Sequence, residues 1–279
     1  MKRIKKLIKM SYYQRFVVEP LKRLAVSGKG KLIDAGKGEE QRVYLFRAGG
    51  RLCVTAMHHA NEIFGTYQSV LETLASGAPM SAAPVVNADM FDTMYKKVGK
   101  TRALSDGDQN LLNFMFYQFL ESENIGNLYP KWGHWGYGSH VQKPSFIGEI
   151  EHIVANSLVV IDIHNCVGEP YIIITAPIES ELQREIERLL IEVIRANGNP
   201  IREGCVPIAS GFQEIRKHVY APAHNDFTIL EFAKEHRTVN FALEVPAVFI
   251  ADGRYNLADQ ARIIATNVEI LSRVAELVH

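Results

Sequence analysis

Short, continuous apolar runs alternate along the chain with longer amphipathic stretches, and this alternation restricts the fold more than any other feature. The apolar runs predict strands at residues 42–46, 51–57, 82–87, 158–164, 171–175, 205–209 and 239–245. The stretches with helical periodicity predict helices at 62–76, 108–121, 145–156, 179–197, 226–236 and 257–278. Apolar strands without polar alternation belong in a sheet that is covered on both faces, so the order predicts an α/β fold with a largely parallel sheet.

Composition narrows the classes of partner. The chain has 279 residues with 31 Lys plus Arg against 31 Asp plus Glu, so its formal net charge is zero. No overall field attracts nucleic acid, and we expect no nucleic-acid partner. The three cysteines Cys53, Cys166 and Cys205 form neither a disulfide framework nor a CxxC metal site, which favours a reducing compartment.

The N-terminus is basic, but no apolar stretch of signal-peptide length follows it. We therefore expect a cytoplasmic protein, with one catalytic domain over 1–279 in which residues 1–30 form a basic extension or helix. No segment reaches the roughly 18 apolar residues of a membrane span. Residues 2–9 are predicted to be a solvated start of a helix, and weak contact with an acidic membrane surface is the alternative.

Two of the predicted strands end in histidine. The stretch VTAMHHANEIFGTY at 54–67 places His59 and Glu62 three residues apart at a strand-to-helix turn, and LVVIDIHN at 158–165 contains His164. The carboxyl ends of parallel strands meet at one edge of an open α/β sheet, where ligands bind. Two histidines and one glutamate form the ligand set of a catalytic zinc ion, so the pattern predicts one Zn²⁺ held by these three residues. Capped turns with incidental histidines are the alternative.

Neighbouring residues are candidates for supporting roles. Asp162 or Asn165 can orient a ligand ring by a hydrogen bond. His58 is expected to support the site or to be exposed, and a ligand role in a shifted register is its alternative. Glu244 lies in the apolar strand VNFALEV at 239–245, where a carboxylate needs a partner. Beside a metal ion, Glu244 can take a proton from the attacking water and pass it to a leaving nitrogen. A buried ion pair with Arg or Lys is the structural alternative.

Together these segments resemble the zinc carboxypeptidases of the carboxypeptidase A type, from about residue 40 to 250. The similar segments are HANEIFGT, APVVNADMFDTMY, VVIDIHN and FALEVP, which match the HxxE zinc motif, the strand and turn after it, the segment of the third zinc ligand and the strand of the catalytic glutamate. The resemblance implies a twisted, mixed, largely parallel eight-stranded sheet with helices on both faces. It also implies that Tyr220, at the family's spacing before Glu244, is a mobile residue that contacts the substrate.

One motif departs from the family. The family binds the terminal carboxylate of its substrate with an Asn-Arg pair before an aromatic-Pro dipeptide, and here the matching positions are Gly126 and Asn127. An amide does not reproduce the charge and fork geometry of arginine, so recognition of a terminal carboxylate is in doubt. Asn127, Tyr129 and Trp132 are substrate-binding candidates in a loop, 126–144, that is rich in glycine and aromatic residues.

The resemblance assigns two further residues, each with a structural alternative. Arg102 lies roughly where the family's carbonyl-polarising arginine falls, at a longer spacing, and its alternative role is that of a surface arginine. Asp226 lies near the base of the family's specificity pocket, where it favours a basic side chain. Its alternative role is the N-cap of the helix predicted at 226–236.

The sequence thus predicts a zinc-dependent hydrolase of an amide or peptide bond, an atypical metallocarboxypeptidase without the Asn-Arg site. An N-acyl amino acid deacylase, similar to aspartoacylase and succinylglutamate desuccinylase, is the first alternative because those relatives share the H-x-N-E and D-x-H-N spellings found here. A catalytically silent binding module on the same fold is the second. The expected substrate is a peptide or a small acylated amino acid, and the oligomeric state is not predicted.

Overall fold

A computed structural model describes residues 11–35, 43–58, 62, 64–86, 88, 91, 145–167, 170–204, 212–222, 228–251 and 254–279. The helix predicted at 108–121 and the strand predicted at 205–209 lie outside these ranges. Within them, no helix is long and apolar enough to cross a membrane.

A mixed sheet is the centre of the fold. Its strands are β1 (Lys31–Asp34), β2 (Tyr44–Arg47), β3 (Leu52–Ala56), β4 (Met80–Ala83), β5 (Val159–Val167), β6 (Ile172–Ile174), β7 (Phe212–Arg216), β8 (Val219–Pro222), β9 (Val239–Ala251) and β10 (Arg254–Leu257). The order across the sheet is β1-β2-β4-β3-β5-β9-β6-β8-β7, and β10 pairs with the far end of β9.

The four central strands, β4, β3, β5 and β9, are parallel, and antiparallel pairs flank them on both sides. Leu52, Val159 and Val239 are level with one another at the start of this parallel block. All three are buried, as expected for strands that are covered on both faces. The shared register places the end of β3, at Ala56, level with Ile163 of β5 and Leu243 of β9, and β5 and β9 continue past this level to Val167 and Ala251, beyond the ends predicted at 164 and 245.

Helices cover the sheet in two groups. A π-helical turn at Gln14–Val18 leads into α1 (Glu19–Val26), and the other helices are α2 (Thr66–Ser76), α3 (Ser145–Ala155), α4 (Glu181–Ala196), α5 (Ile229–Glu235) and α6 (Gln260–Leu277). Helix α2 contacts α1 and α6, and α4 also contacts α6, whereas α3 and α5 contact each other. The predicted α/β class, with helices on both faces of the sheet, is confirmed.

Several predicted boundaries were wrong for identifiable reasons. Helix α2 begins at Thr66 instead of residue 62, because Gly65 has a φ of 79°, which a right-handed helix does not contain. Strand β4 ends at Ala83 instead of extending to residue 87, because Pro84 has no N–H for a ladder hydrogen bond. The helical segment before β1 was not among the six helices predicted from periodicity, although a helix was one of the two expectations for residues 1–30, and its Val17, Val18 and Leu21 are fully buried.

The sheet has ten strands in the described part of the chain, compared with the eight that the resemblance implied. The missed strands β1, β7, β8 and β10 are short and lack the continuous apolar runs of the central strands. Two of the three cysteines, Cys53 and Cys166, are free and buried. Burial raises the pKa of the Cys53 thiol to about 12, so this thiol stays protonated near neutral pH.

The turn between β2 and β3 gives a matched pair of stability tests. Gly49 and Gly50 have φ values of 88° and 75°, but a Cβ would meet nothing within 4 Å at Gly49 and would overlap the carbonyl oxygen of Pro79 at Gly50. We expect Gly49→Ala to lower the free energy of unfolding by about 1 kcal/mol, the cost of the left-handed conformation. Gly50→Ala should cost roughly 1–3 kcal/mol more because of the overlap. Urea unfolding measures both, and equal losses would contradict the turn geometry.

Candidate metal centre

The register of the parallel strands places the candidate side chains on one face of the sheet. His164 in β5 is level with Glu244 in β9, and Thr55 in β3 is level with Asp162 in β5. Side chains two residues apart on a strand point to the same face, so Asp162 and His164 share a face with Glu244 and Thr55. Glu62 joins them from the turn between β3 and α2.

The imidazole of His164 lies between two buried carboxylates. Its Nδ1 is 2.9 Å from Oε2 of Glu62, and its Nε2 is 2.7 Å from Oδ2 of Asp162. The exposed fractions are 5% for Glu62, 2% for Asp162 and 7% for His164, so solvent screens these contacts little. Carboxylates in a buried site need such partners because desolvation of an unpaired charge is costly.

Asp162 also contacts Thr55 in β3 and His58, two residues after the end of β3. The Thr55 hydroxyl donates to Oδ1 of Asp162 at 2.7 Å, and Nε2 of His58 lies 3.4 Å from the same oxygen. The rings of His58 and His164 are stacked, with centroids 6.0 Å apart and planes inclined by 22°. Asp162 is therefore hydrogen-bonded to His164, lies within ion-pair distance of His58 and is fixed by Thr55.

The charges of the cluster stabilise one another. Burial alone lowers the pKa of His164, but the adjacent Asp162 and Glu62 carboxylates more than offset this and raise the pKa well above its usual value. Burial likewise raises the pKa of Asp162, and the facing His164 and His58 rings more than offset it, so the pKa falls below its usual range. Without a bound cation, the cluster is an imidazolium between carboxylates.

Glu62 and His164 are close enough to bind one cation together. Two ligands at about 2.1 Å from a tetrahedral zinc ion are about 3.4 Å apart. The 2.9 Å between Nδ1 of His164 and Oε2 of Glu62 needs only a small separation to reach that value. The opposite ring nitrogen contacts Asp162, which is the second partner that metal-binding histidines usually have. The two donors and their support therefore fit a zinc ion.

The described residues alone do not complete a metal site. Among them, no group of three His, Cys, Asp or Glu side chains is arranged to hold a metal ion. Asp162 contacts the ring nitrogen of His164 opposite to the one that faces Glu62, so Asp162 does not supply a third donor there. His59, the third predicted ligand, lies outside the described residues and directly follows His58.

Asn165 has a role that the sequence did not reveal. Its Oδ1 accepts from the backbone N–H of Phe64 at 3.0 Å, and its Nδ2 donates to the Phe64 carbonyl at 3.0 Å. Of the two residues proposed to orient a ligand ring, Asp162 contacts the ring of His164, while Asn165 holds the backbone two residues after Glu62. This clamp ties the turn that carries Glu62 to the end of β5.

The other predicted catalytic residues are placed as follows. Glu244 is half-buried in β9 beside His164. Tyr220 in β8 is fully buried, and its hydroxyl donates to the carbonyl of Gly204 at 2.7 Å. Tyr220 is level with Ile174 of β6, which is level with Ala242 of β9, so it lies two strands away from Glu244.

The remaining candidates lie outside the described residues. They are His59, Arg102, Asn127, Tyr129, Trp132 and Asp226. The alternative role of Asp226 as an N-cap was wrong, because α5 begins at Ile229 and Thr228 is its N-cap, accepting from the N–H of Glu231. The β-region backbone of Thr228 is typical of an N-cap, and the prediction placed this cap two residues early.

Comparisons with known proteins bear on the fold. No protein-family model and no curated protein sequence matches the chain. A solved structure from Shewanella baltica, described as a metallopeptidase, aligns with a TM-score of 0.59 at 13% identity over 96% of this chain and 91% of that one. A Pseudomonas aeruginosa metallo-carboxypeptidase aligns with a TM-score of 0.58 at 15% identity over 96% and 69% of the two chains.

Carboxypeptidase A from Helicoverpa armigera is similar in the same way, with a TM-score of 0.56 at 13% identity over 96% of this chain and 74% of that one. The chain has a zinc carboxypeptidase-like fold. At these identities the likeness establishes the architecture alone, and it confirms the fold that the sequence motifs implied. The candidate side chains collect just beyond the end of β3, where His164 of β5 and Glu244 of β9 are one residue past the level of Ala56.

The contact between Asp162 and His164 gives a test of the metal centre. We expect Asp162→Asn to weaken zinc binding by about 10–100-fold, because a supporting carboxylate raises the basicity of the ligand ring. Competition with a chromophoric zinc chelator measures this change, with His164→Ala as the reference for removing a ligand outright. Glu235→Gln, an exposed charge change on α5, is the matched control. Unchanged affinity in Asp162→Asn would show that Asp162 does not support a metal ligand.

Proposed function

We propose that this chain is a zinc-dependent hydrolase of an amide or peptide bond, in the manner of an atypical metallocarboxypeptidase. The observation that carries the proposal is the position of His164, with Glu62 2.9 Å from one ring nitrogen and Asp162 2.7 Å from the other. A buried histidine between a potential co-ligand and a supporting carboxylate is the arrangement that metal-binding histidines have in catalytic zinc sites. The zinc carboxypeptidase-like fold also supports a catalytic zinc site at this position.

In this proposal His59, Glu62 and His164 hold one Zn²⁺. Such an ion, when bound, polarises a carbonyl group and makes a coordinated water more acidic. Asp162 keeps a proton on Nε2 of His164, so Nδ1, beside Glu62, is the ring nitrogen that would lose its proton and bind the metal ion. Thr55 fixes the rotamer of Asp162 through its hydroxyl, at 2.7 Å from Oδ1. Each of these contacts orients a donor before any cation arrives, which lowers the cost of binding.

Glu244 is the proposed general base and then general acid. It is level with His164 on the adjacent parallel strand, so their Cα atoms are about 4.8 Å apart. Its partial exposure lets solvent and substrate reach the carboxylate, unlike the buried Glu62 and Asp162. In this position the carboxylate accepts a proton from the attacking water and donates it to the leaving nitrogen.

The remaining roles are proposals that rest on the sequence resemblance. Arg102 would stabilise the developing oxyanion, and Asn127, Tyr129, Trp132 and Asp226 would contact the substrate. Tyr220 assists at the substrate only if its hydroxyl leaves the carbonyl of Gly204, to which it donates at 2.7 Å. The departure from the Asn-Arg motif at Gly126 and Asn127 separates this chain from carboxypeptidases that grip a terminal carboxylate with arginine.

The substrate class can be determined by comparing the hydrolysis of several amide substrates. We would assay the zinc-loaded protein on peptides with a free C-terminus, on the same peptides amidated at the C-terminus, and on N-acyl amino acids. Cleavage of free but not amidated peptides supports a carboxypeptidase, and cleavage of N-acyl amino acids alone supports the deacylase alternative. Stoichiometric zinc without turnover of any substrate class would favour the catalytically silent binding module.

Replacement of the proposed base gives the most specific test of the mechanism. We expect Glu244→Gln to keep stoichiometric zinc and the same unfolding midpoint while lowering kcat by about 10²–10⁴-fold, because the amide cannot accept the proton. The substitution preserves shape, and Glu149→Gln, an exposed carboxylate on α3, is the control for loss of one charge. Turnover that remains within a few-fold of the wild-type rate would rule out Glu244 as the proton carrier.

A further inference from the structure

Arg47, at the end of β2, has a half-buried side chain that forms no ion pair with any residue that the structure describes. Its Nε is buried and has no hydrogen-bond partner in the described part of the chain. A buried guanidinium N–H without an acceptor costs free energy, so such a group normally pairs with a carboxylate, a carbonyl or a ligand. At the nearby C-terminal end of α3, the carbonyls of His152 and Ile153 accept from the side chains of Asn156 and Ser157.

The sheet register places Arg47 in line with residues near the starts of the parallel strands β4, β3 and β5. Arg47 is level with Ser81 of β4, Ser81 is level with Cys53 of β3, and Cys53 is level with Val160 of β5. Paired residues on neighbouring strands share a face, so these four side chains form one row. The last turn of α3 and the residues just after it lie over the Arg47 end of this row.

A pocket of about 230 Å³ opens between Arg47 and α3. Its polar lining comprises Arg47, the Ser81 and Ser157 hydroxyl groups, the His152 imidazole and the Asn156 amide. The Gly49-Gly50 turn closes one side without side-chain bulk. None of the residues that line the pocket is Asp or Glu, so the charge of Arg47 is not neutralised within it.

We propose that this pocket is a binding site for a small oxyanion, a phosphate or carboxylate group held by the Arg47 guanidinium with hydroxyl and amide donors around it. The planar fork of arginine matches two oxygens of either group, and such charge-assisted pairs are stronger than neutral hydrogen bonds. The Ser81 hydroxyl and the second amide proton of Asn156 supply further donors at the sides, since the first amide proton of Asn156 goes to the His152 carbonyl and the Ser157 hydroxyl donates to the Ile153 carbonyl. The pocket is smaller than the roughly 300 Å³ at which drug-sized ligand sites begin, so it suits an anion of a few heavy atoms.

The pocket is separate from the candidate metal centre. Val160, in the row of Arg47, lies four residues before His164 on β5, which is about 13 Å along the strand. Arg47 is three strands from β5 in the sheet order, which adds about 14 Å across the sheet. A small anion that binds Arg47 therefore does not reach the metal ligands, and the two sites can be tested independently.

The Nε–H resonance of Arg47 in the ¹⁵N-labelled full chain provides the test. The resonance is assigned by its loss in Arg47→Lys, and inorganic phosphate and acetate are titrated in turn at constant ionic strength. We expect a saturable shift of the Arg47 signal, with half-saturation at about 1 mM or below for the preferred anion. A shift with acetate as well as phosphate indicates a carboxylate ligand, and a shift with phosphate alone indicates a phosphoryl ligand.

Arg262 supplies an internal control. Its Nε is also buried without a partner in the described residues, but its Nη1 donates to the Gly198 carbonyl at 3.3 Å. The Arg262 signal, assigned through Arg262→Lys, should not move. Asn156→Trp, which fills the mouth of the pocket from an exposed position and keeps Arg47, should abolish the shift. No saturable shift of Arg47 with either anion, or an equal shift of Arg262, would overturn the proposal.

Discussion

The contact of His164 with two buried carboxylates is the interaction on which the candidate site depends. Glu62 and Asp162 lie at opposite nitrogens of one imidazole, at 2.9 and 2.7 Å, in a region where water screens them little. A single buried carboxylate would be costly, and two would be more so. The imidazole makes both acceptable, because as a cation it offers a proton to each carboxylate. A metal ion that replaces the proton at Nδ1 would leave the Asp162 side unchanged.

The sheet makes this contact possible. Parallel strands β3, β5 and β9 keep a common register, so Thr55, Asp162, His164 and Glu244 are placed by their position along each strand. The apolar side chains of the same strands are buried and fix that register, since a slip of one residue would turn every side chain to the other face. Asn165 extends the same control to the turn after β3 by binding the backbone of Phe64 through both amide atoms.

Sequence patterns were sufficient where burial alone decides structure. The continuous apolar runs of β3, β5 and β9 predicted the centre of the sheet, and the amphipathic stripe at 257–278 predicted α6. The patterns were insufficient where backbone conformation decides, as at Gly65, which delays α2, and at Pro84, which ends β4. Short strands such as β7 and β8 were missed because each contains too few buried residues to show a period.

The candidate site was predictable only where a residue stands out within its own segment of sequence. Histidines near the ends of apolar runs and a carboxylate in an apolar strand are visible in sequence, although β5 continues three residues past His164, and the D-x-H spelling placed Asp162 beside His164. The contacts of Thr55 and Asn165 were not predictable, because they join residues about one hundred positions apart through a register that only the folded sheet defines. For Tyr220 the sequence suggested one contact and the structure shows another. The family spacing assigned its hydroxyl to the substrate, whereas this hydroxyl donates to the backbone carbonyl of Gly204.

Zinc K-edge X-ray absorption of the zinc-loaded chain tests the central claim most directly. We expect one zinc per chain, with two imidazole nitrogens at about 2.0–2.1 Å and carboxylate oxygen at about 2.0–2.2 Å. In His164→Ala, one imidazole should be lost from the spectrum. A chain that takes up no stoichiometric zinc, or a zinc shell without imidazole, would contradict the account.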